Sequence, residues 1–174
     1  VRVTTLSALE PFPGALLWDV GAGSGSIGIE WMRIDHRCQA IAIEANPERA
    51  ENITQNSCKL GTPNLKIVID KAPSILSTLP TPDAIFIGGG ITSKGMVKQC
   101  WDFLRAGGCL VANVVTTEGE EEVLKNQKKL GGHLTRISIS NLEKIGSKKA
   151  WRPSMQVTQW KVKKPIQMLR ENII

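Results

Sequence analysis

The residues with the clearest chemical meaning form a glycine-rich segment, Asp19-Val20-Gly21-Ala22-Gly23-Ser24-Gly25-Ser26, which follows a short apolar run. Glycine is needed where a chain turns tightly and its backbone must approach a ligand closely, because a Cβ atom would prevent that approach. The spacing departs from the dinucleotide fingerprint, whose third glycine would fall at Ser26, and a second register that begins at Gly23 starts too late after the strand. The segment therefore predicts a ligand-binding loop formed by Gly21, Ala22, Gly23, Ser24 and Gly25.

Further candidate residues stand at the ends of the next three apolar runs. Glu44 ends the second run, and an acidic residue there can accept hydrogen bonds from both ribose hydroxyls of a nucleoside. NAD-dependent enzymes use the same device, so Glu44 predicts an adenosine-type ligand without identifying which one. Because α/β sheets bind ligands at the carboxyl ends of their strands, we expect Asp70, Ala72 and Gly88 at the same site.

The elements that must position these residues alternate between apolar runs and amphipathic stretches, which predicts an α/β protein with a mostly parallel sheet. We predict strands at 15–20, 39–44, 65–69, 84–87 and 109–115. We predict helices from residue 24 or 25, from 47 to about 60, at 74–79, at 93–105 and at 117–130.

The C-terminal part of the chain departs from this alternation. The sequence predicts strands at 134–140 and 156–162. The segment 141–155 between them shows no helical pattern, so we expect it to be a loop. Two strands joined without a crossover helix should pair antiparallel. The whole arrangement predicts the Rossmann-like, seven-stranded sheet of the class I methyltransferases, with an antiparallel C-terminal hairpin.

Composition and charge limit the classes of partner. The 174 residues include 22 Lys and Arg against 16 Asp and Glu, which gives a net charge of +6, and the 41% hydrophobic content is that of a folded domain rather than a disordered chain. This balance favours an anionic partner, namely nucleic acid, a membrane surface or a polycarboxylate small molecule. Because no segment approaches the ~20 apolar residues of a membrane span and no leader is visible, we expect a cytoplasmic protein without a membrane partner.

The cysteines and histidines do not have the spacing of a metal site. Cys38, Cys58, Cys100 and Cys109 are scattered in apolar contexts, and the chain contains two histidines. We therefore expect no metal, no disulfide framework, and cysteines that act as small buried hydrophobic residues. No nucleophile–base pair is evident, and no catalytic residue is assigned.

Three segments together resemble one family. The strand, glycine loop and helix start at 17–32 resemble the decarboxylating precorrin methyltransferases of cobalamin biosynthesis, which form the C-terminal half of precorrin-6Y C(5,15)-methyltransferase or occur as a stand-alone protein. Residues 83–90 are similar to that family's fourth strand, and 151–160 resemble its closing hairpin. The resemblance covers residues 2–164, so we expect one methyltransferase domain at 1–164, with the beginning of its first helix missing, and a tail at 165–174.

The resemblance implies a reaction and a cofactor. The donor would be S-adenosyl-L-methionine, bound by the residues named above, and the domain would methylate carbon 15 and decarboxylate the carbon-12 acetate of a precorrin. It also implies a homo-oligomer, with a tetramer as the candidate state. The resemblance leaves open whether the substrate contains cobalt and whether the domain stands alone or belongs to a two-domain enzyme.

A polycarboxylate tetrapyrrole is an anionic substrate that would suit the net positive charge of the chain. Lys148 and Arg152 flank Trp151 in the predicted loop, so that cationic groups could bind acetate and propionate groups while the indole contacts the macrocycle. A solvated loop or a subunit contact is the other interpretation of this cluster. Lys94, close to the glycine run at 88–90, is a further substrate candidate.

Three other functions stay open. A class I methyltransferase acting on RNA or protein would suit the basic balance, but the positive charges form no stripe with interleaved aromatic residues, so no nucleic acid partner is expected. An NAD-linked or nucleotide-binding domain would instead have a parallel sixth strand and no terminal hairpin. An interaction module without methyltransferase activity is disfavoured because the glycines and Glu44 are intact.

Overall fold

A computed structural model describes residues 1–166, so the predicted tail from residue 167 onward lies outside the described residues. The strands within the described part are β1 (Leu16–Val20), β2 (Gln39–Glu44), β3 (Lys66–Ile69), β4 (Ala84–Ile87), β5 (Cys109–Val114), β6 (His133–Ile137), β7 (Ser140–Ile145), β8 (Lys148–Pro153) and β9 (Val157–Lys163). The helices are α1 (Arg2–Leu9), α2 (Ser26–Ile34), α3 (Pro47–Lys59), α4 (Met96–Phe103) and α5 (Thr117–Leu130), with a 3₁₀ turn at Leu76–Thr78.

The main sheet has seven strands in the order β3-β2-β1-β4-β5-β9-β6. Strands β1 to β5 are parallel, whereas β9 runs antiparallel to both β5 and β6. The predicted class I methyltransferase sheet with an antiparallel C-terminal pair of strands is thus confirmed. β6 runs in the same direction as β1 to β5, as the NAD-linked alternative also predicts, but its antiparallel pairing with β9 contradicts that alternative, which has no terminal hairpin. The strand order reverses between β1 and β4, which is the place where α/β sheets bind ligands.

The prediction of a loop at 141–155 was wrong, because β7 and β8 form a separate two-stranded antiparallel hairpin there. Gly146, with φ of +61°, and Ser147 make its two-residue turn, since Ile145 pairs with Lys148. Glycine followed by serine is a known hairpin signal. The charged residues of the two strands, five of twelve, conceal this signal because they lower the β-propensity of the segment.

Two apolar layers cover the two faces of the main sheet. Trp18, Leu110 and Trp160 lie under α4 and α5, while Leu17 and Val111 pack against α1, α2 and α3. Both buried indole N–H groups of the first layer have a hydrogen-bond partner. Trp18 Nε1 donates to the Pro80 carbonyl at 3.1 Å, and Trp160 Nε1 donates to the Gly131 carbonyl at 3.0 Å. These layers hold the strands rigidly, and the strand ends therefore present loops at fixed positions.

Three of the four cysteines are buried, as predicted, and Cys58 is the exception. Cys58 lies in the last full turn of α3, where its neighbour Ser57 faces the sheet and the cysteine side chain is left on the solvent side. Among residues 1–166, no helix has the length and apolar character needed to cross a membrane.

Candidate functional site

Two glycine segments meet at the carboxyl ends of β1 and β4. The Gly21 N–H donates to the Ile43 carbonyl at 2.9 Å, and the Gly88 N–H donates to the Val20 carbonyl at 2.8 Å. Gly21 has φ of +69°, and a Cβ atom there would lie 2.8 Å from the Gly89 nitrogen. The two segments therefore pack backbone against backbone, which leaves no room for a side chain at Gly21.

The other glycines of the first loop have different roles. Gly23 has φ of +59° and no atom within 4 Å of a Cβ built there, so this backbone faces open space that a ligand can occupy. Gly25 has φ of +76°, caps the start of α2, and has Ile53 Cγ2 only 2.6 Å from its Cβ position. Gly25 thus brings α2 against α3, whereas Gly23 keeps the site accessible.

Glu44 is fixed at the inner wall of this site, where its exposed fraction is 6%. Its Oε2 accepts a hydrogen bond from the Gly23 N–H at 2.8 Å, and its Oε1 accepts one from the Asn46 N–H at 3.0 Å. A carboxylate offers about four acceptor positions, so each oxygen keeps capacity for a ligand hydroxyl. The arrangement can bind vicinal hydroxyls with little reorganisation.

A second acid, Asp19, lies behind the glycine loop and is completely buried. Its Oδ2 accepts from the Gly28 N–H at 2.9 Å, in the first turn of α2, where Gly25 has no side chain to cap the helix. Its Oδ1 has no hydrogen-bond partner among the described residues. Burial raises the pKa of Asp19 to about 7; the Gly28 hydrogen bond opposes this shift and the nearby Glu44 adds to it.

These elements enclose a cavity of about 410 Å³, which is within the usual size range of small-molecule sites. Its walls include six residues predicted from the sequence: Gly21, Gly23, Glu44, Asp70, Ala72 and Gly88. They also include Lys71, Gly89 and Gly90, which belong to the same predicted segments as Asp70 and Gly88, and residues without a sequence-based prediction: Ile43, Ala45, Arg49, Ser93 and Met96. Arg49 and Ser93 carry no motif of their own, and they reach the cavity because α3 and the loop after β4 fold beside it.

Three predicted loop residues do not line the cavity. Ala22 and Gly25 form the turn itself, since the Gly25 N–H donates to the Ala22 carbonyl at 2.9 Å. The Ser24 carbonyl accepts from Asn56 Nδ2 at 3.0 Å and so ties the loop to α3. Lys94 is exposed and does not line the cavity, although its neighbour Ser93 does.

The hairpin divides the predicted substrate residues between its two faces. Trp151 pairs with Leu142, while Lys148 and Arg152 alternate with Trp151 and therefore point to the opposite face. Arg152 Nε lies 3.4 Å from Glu143 Oε2, which neutralises part of its charge. Lys148, Trp151 and Arg152 therefore do not share one face of the hairpin, and the strand register does not support the prediction that they bind one ligand together.

A second depression of about 760 Å³ lies at the opposite edge of the sheet, where β1, β2 and β3 begin. It is larger than the first, but it contains neither the glycine loops nor Glu44, and ligands of α/β sheets bind at the other edge. Within residues 1–166, no group of three or more His, Cys, Asp or Glu is placed to hold a metal ion.

The chain is similar to a set of known proteins. The model of a family described as a precorrin methyltransferase domain matches residues 1–164. A Sinorhizobium protein named precorrin-6Y C(5,15)-methyltransferase (decarboxylating) is 52% identical over 160 residues, which cover 92% of this chain and 39% of that protein. A Salmonella typhimurium protein named cobalt-precorrin-6B C(15)-methyltransferase (decarboxylating) is 29% identical over 161 residues, 90% of this chain and 83% of that protein.

The chain is also similar to solved structures in both sequence and fold. The C-terminal domain of precorrin-6Y C5,15-methyltransferase from Rhodobacter capsulatus has a TM-score of 0.86 and 40% identity, and the match covers 94% of this chain and 88% of that one. The chain spans about two fifths of the length of the longer curated relatives, such as the Sinorhizobium protein.

Proposed function

The chain belongs to the precorrin methyltransferase domain family, and from that premise we propose that it is an S-adenosylmethionine-dependent C-methyltransferase. The reaction would add a methyl group at carbon 15 and remove the carbon-12 acetate carboxylate of a precorrin. The observation that carries this proposal is the cavity between the two glycine segments, with Glu44 fixed at its wall. The proposed domain comprises residues 1–164.

The residues of the cavity fit the donor. A Cβ at Gly23 would project into open space, so the backbone leaves room for a ligand, and Glu44 can accept hydrogen bonds from its ribose hydroxyls. Asp70 and Ala72, after β3, would border the adenine. When bound, S-adenosylmethionine supplies a methyl group that its positively charged sulfur already activates. Gly21 and Gly88 would hold the donor by close backbone approach.

The chain's own contribution is placement more than proton transfer. A meso carbon of a precorrin is electron-rich and can act as its own nucleophile, and loss of the carboxylate can push electrons into the conjugated ring. Alignment of two reactants can contribute several kcal/mol to catalysis, on the order of 7–11 in favourable cases. We assign no catalytic residue, and cobalt-containing and cobalt-free substrates both fit this proposal.

The proposal also covers the cellular location and the oligomeric state of the protein. On the family resemblance we place it in the cytoplasm as a homo-oligomer, with a tetramer as the candidate state. The exposed hairpin, with Leu142 and Trp151 on one face, offers apolar surface of the kind that contacts between copies use.

Calorimetric titration distinguishes the proposal from its alternatives. S-adenosylhomocysteine should bind with measurable heat and NADH should not. Heat with NADH alone would overturn the methyltransferase function. Thermal-shift measurements with uroporphyrin, a polycarboxylate tetrapyrrole, and with a short RNA would then test the acceptor class, and stabilisation by RNA alone would favour the nucleic-acid alternative.

A further inference from the structure

Three polar side chains converge beyond β5, away from the cavity. Glu120 lies in the first turn of α5, Arg136 near the end of β6, and Thr158 at the second position of β9. Glu120 Oε1 accepts hydrogen bonds from Arg136 Nη2, at 3.0 Å, and from Thr158 Oγ1. Thr158 is buried, so it fixes Glu120, and Glu120 in turn holds the guanidinium of Arg136 in one orientation.

The cluster borders a small cavity of about 140 Å³. Leu124 and Leu134 form its apolar part, and the side chain of Arg136 keeps 57% of its surface exposed. A guanidinium has five N–H donors, and its hydrogen bond to Glu120 engages one of them. A fixed guanidinium beside apolar surface suits a carboxylate carried on a hydrocarbon body, because the fork of donors binds carboxylates in a bidentate manner.

The sheet register places this cluster at the same edge as the glycine loops. Across the sheet, Thr158 of β9 pairs with Val114 of β5 on one side and with Arg136 of β6 on the other. Val114 lies two residues beyond Ala112, which pairs with Ile87, the last residue of β4. Arg136 is therefore at the level of the Gly88–Gly90 segment. Three strand spacings separate β6 from β4, or about 14 Å at the usual spacing of neighbouring strands. A tetrapyrrole ring with its peripheral side chains is wide enough to extend over that separation.

We propose that Arg136, oriented by Glu120 and Thr158, binds a peripheral carboxylate of the tetrapyrrole substrate and helps to determine which substrate is accepted. The inference rests on the proposed function, since it names part of the acceptor's site. Glu118 and Glu121 stand in the same region of α5, so this edge is not generally positive. At this point of the surface the geometry of one guanidinium holds the carboxylate, whereas the net charge of the whole chain acts at a distance on the approach of the substrate.

The test is a fluorescence titration with uroporphyrin of the complete chain and of two arginine variants. Arg136→Gln should weaken uroporphyrin binding roughly tenfold, because a charged hydrogen bond is lost, while calorimetric affinity for S-adenosylhomocysteine stays unchanged. Arg33→Gln is the matched control. Arg33 also pairs with a glutamate, Glu30, but it lies in the last turn of α2, away from the glycine loops, so this variant should bind both ligands normally.

A third variant separates binding from a structural role. Glu120→Gln keeps an acceptor oxygen for Arg136 and Thr158 but removes the competing negative charge, so uroporphyrin should bind as tightly as to the parent chain or more tightly. Equal uroporphyrin affinity of the parent chain and Arg136→Gln would overturn the inference and leave the proposed function standing. If the parent chain binds S-adenosylhomocysteine but not uroporphyrin, the proposed substrate class and the inference both fail.

Discussion

Two acidic residues at the site differ because their surroundings differ. Glu44 accepts hydrogen bonds from two backbone N–H groups at the cavity wall. Asp19 is buried behind the loop, and one of its oxygens has no hydrogen-bond partner within residues 1–166. Burial without compensation favours the neutral form of an acid. Glu44 is thus suited to ligand binding, and Asp19 to holding the helix start that follows the loop.

Replacing Glu44 tests its role in binding the ribose. Glu44→Gln should raise the Kd for S-adenosylhomocysteine about tenfold, because one carboxylate oxygen is replaced by an NH2 group, which cannot accept a hydrogen bond from a hydroxyl. Calorimetry of the variant beside Glu48→Gln, an exposed acid in the first turn of α3, measures the effect. An unchanged Kd for Glu44→Gln would remove this residue from the site.

Asp19 should make the stability of the fold depend on pH. Its pKa is raised from 3.8 to about 7, so between these values the folded chain binds a proton that the unfolded chain has released. Stability should therefore decrease as pH rises through this window, by at most about 1.4 kcal/mol per pH unit. Asp19→Asn keeps an acceptor for the Gly28 N–H and should flatten the dependence, so that its Tm at pH 8 exceeds that of the parent. A lower Tm at pH 8 would show that the charged carboxylate stabilises the loop.

At the scale of elements, regular periodicity predicted the framework well. The bounds of β2, β4 and α5 agree with the sequence prediction, because each is a clear apolar run or a helix with acidic residues first and basic residues last. The predicted helix at 93–105 is shorter, because Gly95 adopts φ of +81° and the helix begins after it. Arg49 and Ser93 could not be predicted as cavity residues, since their place depends on how whole elements pack.

A pair of glycine substitutions tests the contact between the loops after β1 and β4. Gly21→Ala places a Cβ 2.8 Å from the Gly89 backbone, whereas Gly23→Ala meets no protein atom, and both positions share a positive φ. Alanine at either position has a backbone strain of about 1 kcal/mol from the positive φ, and at Gly21 the clash with the Gly89 backbone adds to it. Gly21→Ala should therefore lower Tm by several degrees more than Gly23→Ala. Thermal melts of the two variants measure the difference, and equal losses would mean that the loops separate easily.

The β7–β8 hairpin should be dispensable for donor binding. None of its residues lines the 410 Å³ cavity, and the Ser154 N–H donates to the Ile139 carbonyl, so a short Gly-Ser link can replace residues 140–153. The shortened chain should bind S-adenosylhomocysteine with unchanged affinity in calorimetry. Its uroporphyrin affinity then tests Lys148, Trp151 and Arg152, and a large loss would assign substrate contacts to the hairpin.

At the scale of the whole molecule, the net charge of +6 should attract a polycarboxylate over a distance. Raising the salt concentration from 0.1 M to 1 M shortens the screening length from about 10 Å to about 3 Å. Uroporphyrin binding should therefore weaken markedly with added salt, whereas the binding of S-adenosylhomocysteine, which carries no net charge at neutral pH, should change little. Parallel titrations at several salt concentrations measure both, and equal salt sensitivity would contradict a steering role for the net charge.

The place of β9 in the sheet has a consequence for how the chain folds as it is made. β9 is the last strand in the described sequence, yet it lies inside the sheet between β5 and β6. While a ribosome is still synthesising the chain, the first five strands can associate, but β5 keeps an open edge and β6 has no neighbour until residues 157–163 emerge. Nascent chains stalled before residue 157 should therefore be the species most in need of a chaperone.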